Sequence, residues 1–438
     1  MHYQMPEGFL WGVATSAYQC EGSPTADGRG PSIWDEFCKK PGVIKDASSG
    51  KVSSGSYERW ADDVRLLKEL GVNSYRFSIA WPRVIPEGRG RVNQQGLDFY
   101  SRLIDALLEN NIRPFVMLYH WDLPQALDWR DRATADAFGE YAAVTVKHLG
   151  DRVKDWMTVE ELATCLGQGY GGKHLAPGLN LSGKPMAQVY HHALVAHGLG
   201  VSAIRANCPV ARISLDMDPV TPIPVIEDPA HIAACSAAYE HLNGFLMGPL
   251  FDGKYPAHLA DLPEVLPGDM KLISQPLDYL GLSIYSGIYF EPANDALGFR
   301  RVEFPPDYPM VKDLDWFRFV PPGLYWCIRH AHTRYKFKSI LISENGYGTD
   351  ATRDADSQCN DLDRIMAMRC YMREMHRAVA EGLPVHGYFN WSLIDDWEWQ
   401  NGHTKSFGLC YHNPKTGERR PKRSFEWYKS VIRNNAVV

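Results

Sequence analysis

Eight short apolar runs punctuate the chain, and segments of helical period lie between them. The runs are Phe9–Thr15, Val72–Ile79, Ile112–Tyr119, Val153–Val159, Ala211–Asp216, Leu277–Tyr285, Ser339–Ser343 and His386–Trp391. Each is apolar nearly throughout, the pattern of a parallel strand buried on both faces. Helical spacing of apolar residues marks Ala61–Leu70, Gly96–Asn110, Thr134–Leu149, Pro185–Asn207 and Cys359–Glu381. Strand and helix alternating eight times predict an α/β fold. The expected architecture is a single (β/α)8 (TIM) barrel over residues 1–438 with extended loops on its C-terminal face. No low-complexity linker cuts the chain. The stretches at roughly 20–60, 219–275, 286–330 and 393–425 read as insertions after strands, building the rim of a pocket.

A barrel of this kind carries its chemistry at the C-terminal strand ends. Polar and aromatic residues fall there: Gln19, Arg76, His120, Glu160, Glu161, Tyr285, Glu344 and Trp391. Composition narrows what they act on. The 438 residues carry a net charge of -6, so no broad basic field invites nucleic acid or an anionic membrane. Aromatics reach 12%, with 13 Trp and 22 Tyr, which suits a site that stacks the flat apolar faces of sugar rings. No apolar stretch of ~18 residues predicts a membrane helix. The opening MHYQMPEGFLWG lacks the basic and apolar regions of a signal peptide. The 9 cysteines are scattered, odd in number and without a CxxC pair, so reduced thiols in the cytoplasm are expected. No metal-ligand spacing and no phosphate-binding glycine motif occurs, so neither metal nor cofactor is expected. The sequence leaves homo-oligomerisation open.

Glu161 and Glu344 end strands four and seven. Glycoside hydrolysis needs two carboxyl groups flanking the scissile bond, one to protonate the leaving oxygen and one to attack C1 or activate water. Each local motif is weak alone. Thr-Val-Glu-Glu-Leu reads equally well as a solvated loop start, and Ser-Glu-Asn-Gly as a turn. Their convergence with Gln19, Arg76, His120 and Trp391 on one barrel face favours the catalytic reading.

Longer motifs carry a family resemblance. Phe9-Leu-Trp-Gly-Val-Ala-Thr-Ser-Ala-Tyr-Gln-Cys-Glu-Gly22 resembles the N-terminal signature of glycoside hydrolase family 1, the β-glucosidase family. Tyr75-Arg-Phe-Ser-Ile-Ala-Trp-Pro-Arg83, Leu118-Tyr-His-Trp-Asp-Leu-Pro-Gln-Ala-Leu127 and Ile340-Leu-Ile-Ser-Glu-Asn-Gly346 are similar to its later motifs, as is Asn390-Trp-Ser-Leu-Ile-Asp-Asp-Trp-Glu-Trp399. The tail Pro421–Tyr428 looks like its last helix. The resemblance implies Glu344 as nucleophile and Glu161 as acid/base, with Arg76 and Tyr285 holding the nucleophile's oxygens. It implies Gln19, His120, Glu398 and Trp399 on the glycone hydroxyls, Trp391 as stacking floor and Trp316 on the aglycone side. Trp121, Glu160 and Phe407 join this substrate-binding set. The implied activity is retaining hydrolysis of terminal β-D-glucosyl or related residues, with transglycosylation when an alcohol outcompetes water.

Departures from the family pattern leave alternatives open. The strand-four motif Thr-x-Asn-Glu-Pro is here Thr158-Val-Glu160-Glu161-Leu162. Asn-Tyr-Tyr on strand six is Ser283-Ile284-Tyr285. Asn-Arg-Trp is Asn243-Gly-Phe245, and Ser406 stands where an Arg usually precedes Phe-Gly. Trp129-Arg-Asp-Arg-Ala-Thr134 lacks the usual Gly-Gly-Trp. Glu160 in place of an amide either contacts the sugar, favouring a cationic 2-amino glycone, or turns away to pair with a basic residue. A sugar-binding or weakened family member is the reading from another class. A phosphorylated glycone is disfavoured by Glu398, which would repel it.

Overall fold

The structure, a computed structural model, describes residues 3–311, 314–351 and 359–438. Positions 312 and 313, inside the predicted 286–330 insertion, fall outside that description. The barrel strands are β1 (Leu10–Thr15), β2 (Ser74–Ser78), β3 (Arg113–Tyr119), β4 (Asp155–Val159), β5 (Arg212–Ser214 continuing as Asp216–Met217), β6 (Leu280–Ser283), β7 (Ile340–Gly346) and β8 (Val385–Trp391). Neighbours run parallel in sequence order, and β8 pairs with β1 through Gly387–Leu10 and Trp391–Ala14. The ring closes through β5. Its first half pairs with β4 at Asp155–Arg212, and its second half pairs with β6 at Asp216–Gly281. Between them the Leu215 carbonyl accepts from the Gly281 N–H at 3.2 Å. Position 281 must be glycine, because a Cβ there would stand 2.8 Å from the Leu215 carbonyl oxygen and 2.9 Å from Ser343 Oγ. The single strand expected over Ala211–Asp216 is therefore two short pieces hinged at Leu215, a break imposed by closure of the ring.

One long helix follows each strand: α1 (Ser56–Leu70), α2 (Gln94–Glu109), α3 (Ala133–Leu149), α4 (Gly183–Asn207), α5 (Pro229–Met247), α6 (Pro322–Tyr335), α7 (Leu362–Ala380) and α8 (Arg423–Asn434). The five helices read from periodicity are present with ends moved by a few residues. Helix α5 lies inside a stretch read as an insertion, and α6 begins in another and runs past its end. Helix α5 is alanine-rich and packs small residues, Ala234, Cys235 and Ala238, so it presents no large apolar stripe. Its start is nevertheless marked chemically: Asp228 accepts from the His231 N–H at 2.8 Å, and Pro229 opens the helix. Burial of Leu, Ile, Val, Phe and Trp on both faces of the strands builds one extensive core. The insertions rise above the C-terminal strand ends. Among them Ile288–Pro292, Phe299–Arg301 and Pro222–Pro224 form a small sheet at one side of the cavity.

Candidate active site

The end of β7 is a strand, not the turn that Asn-Gly suggests. Asn345 donates to the Ile284 carbonyl at 2.6 Å and accepts from the Tyr388 hydroxyl at 2.7 Å, which ties β7 to its neighbours and fixes the preceding Glu344. Both Glu344 carboxylate oxygens are held. Arg76 Nη1 donates to Oε2 at 3.0 Å, and the Tyr285 hydroxyl donates to Oε1 at 2.7 Å. Tyr285 is itself set by its carbonyl, which accepts from Tyr371 at 2.6 Å.

Glu161 stands two residues beyond β4 with φ 42°, the left-handed region that bulky residues rarely adopt. Its N–H donates to the Asp216 carbonyl at 3.2 Å, and its own carbonyl accepts from Cys165 at 2.9 Å, starting a helix over Leu162–Gly169. Leu162 fills the first position of that helix. Among the described residues the Glu161 carboxyl has no hydrogen bond and no ion pair. Trp121 and Trp399 also take positive φ, 73° and 42°. Such conformations cost about 1–3 kcal/mol each and persist only where the surroundings enforce them. Here they turn three residues inward on one cavity.

That cavity is lined by Glu161 and Glu344 together with Gln19, His120, Trp121, Tyr285, Trp316, Trp391, Glu398, Trp399 and Phe407. At its base Gln19 donates to Glu398 at 3.2 Å, and Ser16 donates to Gln19 at 2.6 Å. His120 stacks on Trp391 at 5.7 Å, and Trp121 on Trp399 at 4.5 Å. Trp316 sits at the mouth, 45% exposed and edge-on to Tyr285.

Two residues of the expected set lie off the lining. Arg76 is behind the wall and reaches Glu344 from there. Glu160, placed by the sequence reading either on the sugar or turned away onto a basic residue, takes the second course: it is fully buried with its carboxylate on the Arg76 guanidinium. Asp216 approaches the same guanidinium at 3.5 Å and accepts from Ser343. One cation therefore serves three carboxylates. Ligand atoms of His120, Glu160 and Glu344 fall within 4.8 Å of one another, spacing that a metal ion could use. Arg76 already bonds both carboxylates, and a second cation there would meet its charge at close range.

Burial and mutual repulsion push the acids up. Glu161 is held well above the usual carboxylate range by burial and then by Glu344, Asp218 and Asp216. Burial raises Glu344 to about 7, with Arg76 opposing. Burial and Glu344 raise Glu398 to about 8. Burial and Arg76 push the His120 imidazole down, leaving it neutral. Paired carboxylic groups at different protonation are what acid/base chemistry at neutral pH requires.

Sequence reasoning missed Thr164, Gln168, Asp218, Gln400 and Asn401 on the lining and Asp216 behind it. Asp216 had a readable signal: an acid inside an apolar strand is almost always functional or paired.

The Glycosyl hydrolase family 1 profile matches residues 1–437. The chain belongs to this family. Family 1 relatives align end to end. β-Glucosidase A of Thermotoga maritima is 39% identical, covering 99% of each chain. The bifunctional β-D-glucosidase/β-D-fucosidase of Bifidobacterium breve is 36% identical over 99% of each. The solved T. maritima β-glucosidase in complex with azafagomine superposes with a TM-score of 0.90 at 38% identity, covering 100% of both chains. Against the family pattern, Ser406 replaces an arginine, yet cations remain nearby. Lys422 Nζ bonds Asp395 at 2.8 Å and Ser406 Oγ at 2.5 Å, and Arg364 reaches the Ser406 carbonyl at 2.9 Å.

Proposed function

We propose that the protein is a retaining β-glucosidase whose whole length acts as one catalytic unit. The observation that carries this is a single cavity holding two glutamates in opposite settings, Glu344 braced at both oxygens and Glu161 at neither. Glu344 attacks C1 from one face of the sugar. Arg76 and Tyr285 orient its oxygens, and Arg76 favours the ionised form. Glu161 gives its proton to the departing glycosidic oxygen, so the bond breaks to an alcohol and a glycosyl ester on Glu344. Glu161, now a carboxylate, takes a proton from water as that water attacks C1 and releases Glu344. An acceptor alcohol in place of water gives transglycosylation. A retaining pair stands about 5–5.5 Å apart.

Gln19, Glu398 and His120 would meet glycone hydroxyls, Trp121 and Trp399 would wall the sugar, and Trp391 would underlie it. Trp316 and Phe407 would face the aglycone and the mouth. A glucose-like glycone fits better than a cationic 2-amino sugar, because Glu160 is engaged by Arg76 and lies off the lining. No described helix is long and apolar enough to cross a membrane. No disulfide joins any of the nine cysteines, all of which lie among the described residues, and this supports a reducing, cytoplasmic setting.

Proton NMR of the first-formed sugar tests the reading. Hydrolysis of a nitrophenyl β-glucoside should release the β-anomer before mutarotation, with turnover on the β-fucoside as a comparison. The α-anomer as first product, or no turnover on any β-glycoside, contradicts it.

A further inference from the structure

Asp218 is a carboxylate for which the reaction above has no use. It lies just past β5 and lines the cavity beside Glu161 and Thr164. The Thr164 N–H, in the first turn of the helix that Glu161 opens, donates to Asp218 Oδ2 at 2.7 Å. Its other oxygen, Oδ1, is buried without a hydrogen-bond partner. Among the described residues no cation pairs with it. Asp216, two residues earlier, also leaves its Oδ1 without a hydrogen-bond partner, but it has the Arg76 guanidinium at 3.5 Å and the Ser343 hydroxyl donating to it. A carboxyl with no cation beside it thus stands against the first turn of the helix that begins at the glutamate proposed to carry the proton.

We propose that Asp218 is a positioning residue that acts through Glu161, its charge keeping the proton on that glutamate until the leaving oxygen takes it. The proposal rests on the reading of Glu161 as acid/base. Glu161 is faced by Glu344 from β7, Tyr285 beyond β6, Asp216 and Asp218 from β5, and Arg76 from β2. Only Arg76 in this set draws the proton off. Asp218 in turn is faced by Asp216, by Glu161 and Cys165 on the short helix, and by Tyr190 on α4. Burial lifts Asp218 itself to about 6, with its hydrogen bonds to Thr164 opposing and Asp216 adding a little, so the two carboxyls exchange influence across the range where the enzyme would work. The sign is fixed. A negative Asp218 disfavours ionisation of Glu161, so removing that charge makes Glu161 release its proton at lower pH.

The test is the pH dependence of kcat/KM for Asp218→Asn, which keeps an oxygen for the Thr164 N–H. With an alkyl β-glucoside, whose leaving group needs the proton, the alkaline limb should move to lower pH by roughly half to one unit. With a dinitrophenyl β-glucoside, which leaves unprotonated, it should move much less. Asp218→Glu, which retains the charge, should keep the wild-type limb. Asp218→Ala serves as a second uncharged variant should the amide disturb folding. An unmoved limb on the alkyl glucoside in a folded uncharged variant overturns the proposal. Glu161→Ala, run on both substrates, separates the two layers. Equal slowing on both removes Glu161 as acid/base and this proposal with it. Selective slowing on the alkyl glucoside with an unmoved Asp218→Asn limb removes this proposal alone.

Discussion

The two halves of the cavity handle their glutamates in opposite ways. Around Glu344, Arg76, Tyr285 and Asn345 form a mesh in which the carboxylate has a fixed partner at each oxygen. Around Glu161 there is backbone constraint but no side-chain partner among the described residues, and the charges that act on it most are acids. Identical side chains are thereby given different work. On the proposed mechanism one is oriented and drawn toward the anion by Arg76 against its burial, and the other is left to hold a proton. The difference lies in strand ends that contribute a cation and a phenol to one side and Asp218 to the other, with Asp216 acting on both.

The largest expected effect comes from removing the braced carboxylate. Glu344→Ala should cut turnover on an activated β-glucoside by on the order of 10⁴-fold, about 5 kcal/mol of barrier. The circular dichroism spectrum should stay native. Added azide should restore part of the rate and give the inverted α-product.

Removing the unbraced one should be selective. Glu161→Ala should lose about 10²–10⁴-fold on alkyl glucosides, the usual worth of general acid catalysis, and far less on dinitrophenyl glucosides. Steady-state kinetics across a series of leaving groups reads this out as a steep dependence that the wild type lacks. If the dependence arises instead in Glu160→Ala, the adjacent glutamates have exchanged roles.

A smaller effect sharpens the braced side. Glu160→Gln removes one of three carboxylates competing for Arg76, so the guanidinium acts more fully on Glu344. Glu344, raised to about 7, should then ionise at lower pH. The acidic limb of kcat/KM should move down by roughly half a unit and activity below neutrality should rise. An unmoved limb means that Arg76 is not shared in solution.

The smallest effect is on stability. Glu398 is raised to about 8, above its unfolded value. Its contribution to folding is therefore intact below the usual glutamate range and is lost as pH rises through about 8. Thermal melts of Glu398→Gln against wild type should coincide near pH 4. The variant should gain steadily up to about pH 8 and hold its lead above that. Coincident melts throughout would mean that Glu398 ionises in the folded protein as it does in the unfolded chain, with no upward shift.

Much of this was readable in the chain, for reasons that can be stated. Strands buried on both faces advertise themselves as apolar runs, so all eight stood out. Helices with large apolar stripes, such as α2 with Leu97, Tyr100, Ile104 and Leu107, did as well. Helix α5 did not, because it packs through alanine and cysteine, and the break in β5 did not, because it follows from ring closure. His120 and Glu344 were found as polar residues directly past apolar runs, Gln19 shortly after one, and Arg76 as a charge within one. Which member of the Glu160–Glu161 pair faces the cavity was readable only through the family resemblance, since a positive φ at Glu161 sets it and glutamate carries no local signal for that conformation. Thr164, Asp218 and Asn401 reach the site from connecting segments whose paths only the folded chain defines.

The account stands or falls on the covalent intermediate. The protein should be incubated with an activated 2-deoxy-2-fluoro-β-glucoside, which slows release of the ester, then digested and mapped by mass spectrometry. The account predicts one added fluoroglucosyl group per chain, on the peptide carrying Glu344, with activity returning as the label leaves. A label on Glu161, Glu160 or Glu398, or turnover that leaves no label at all, would contradict it.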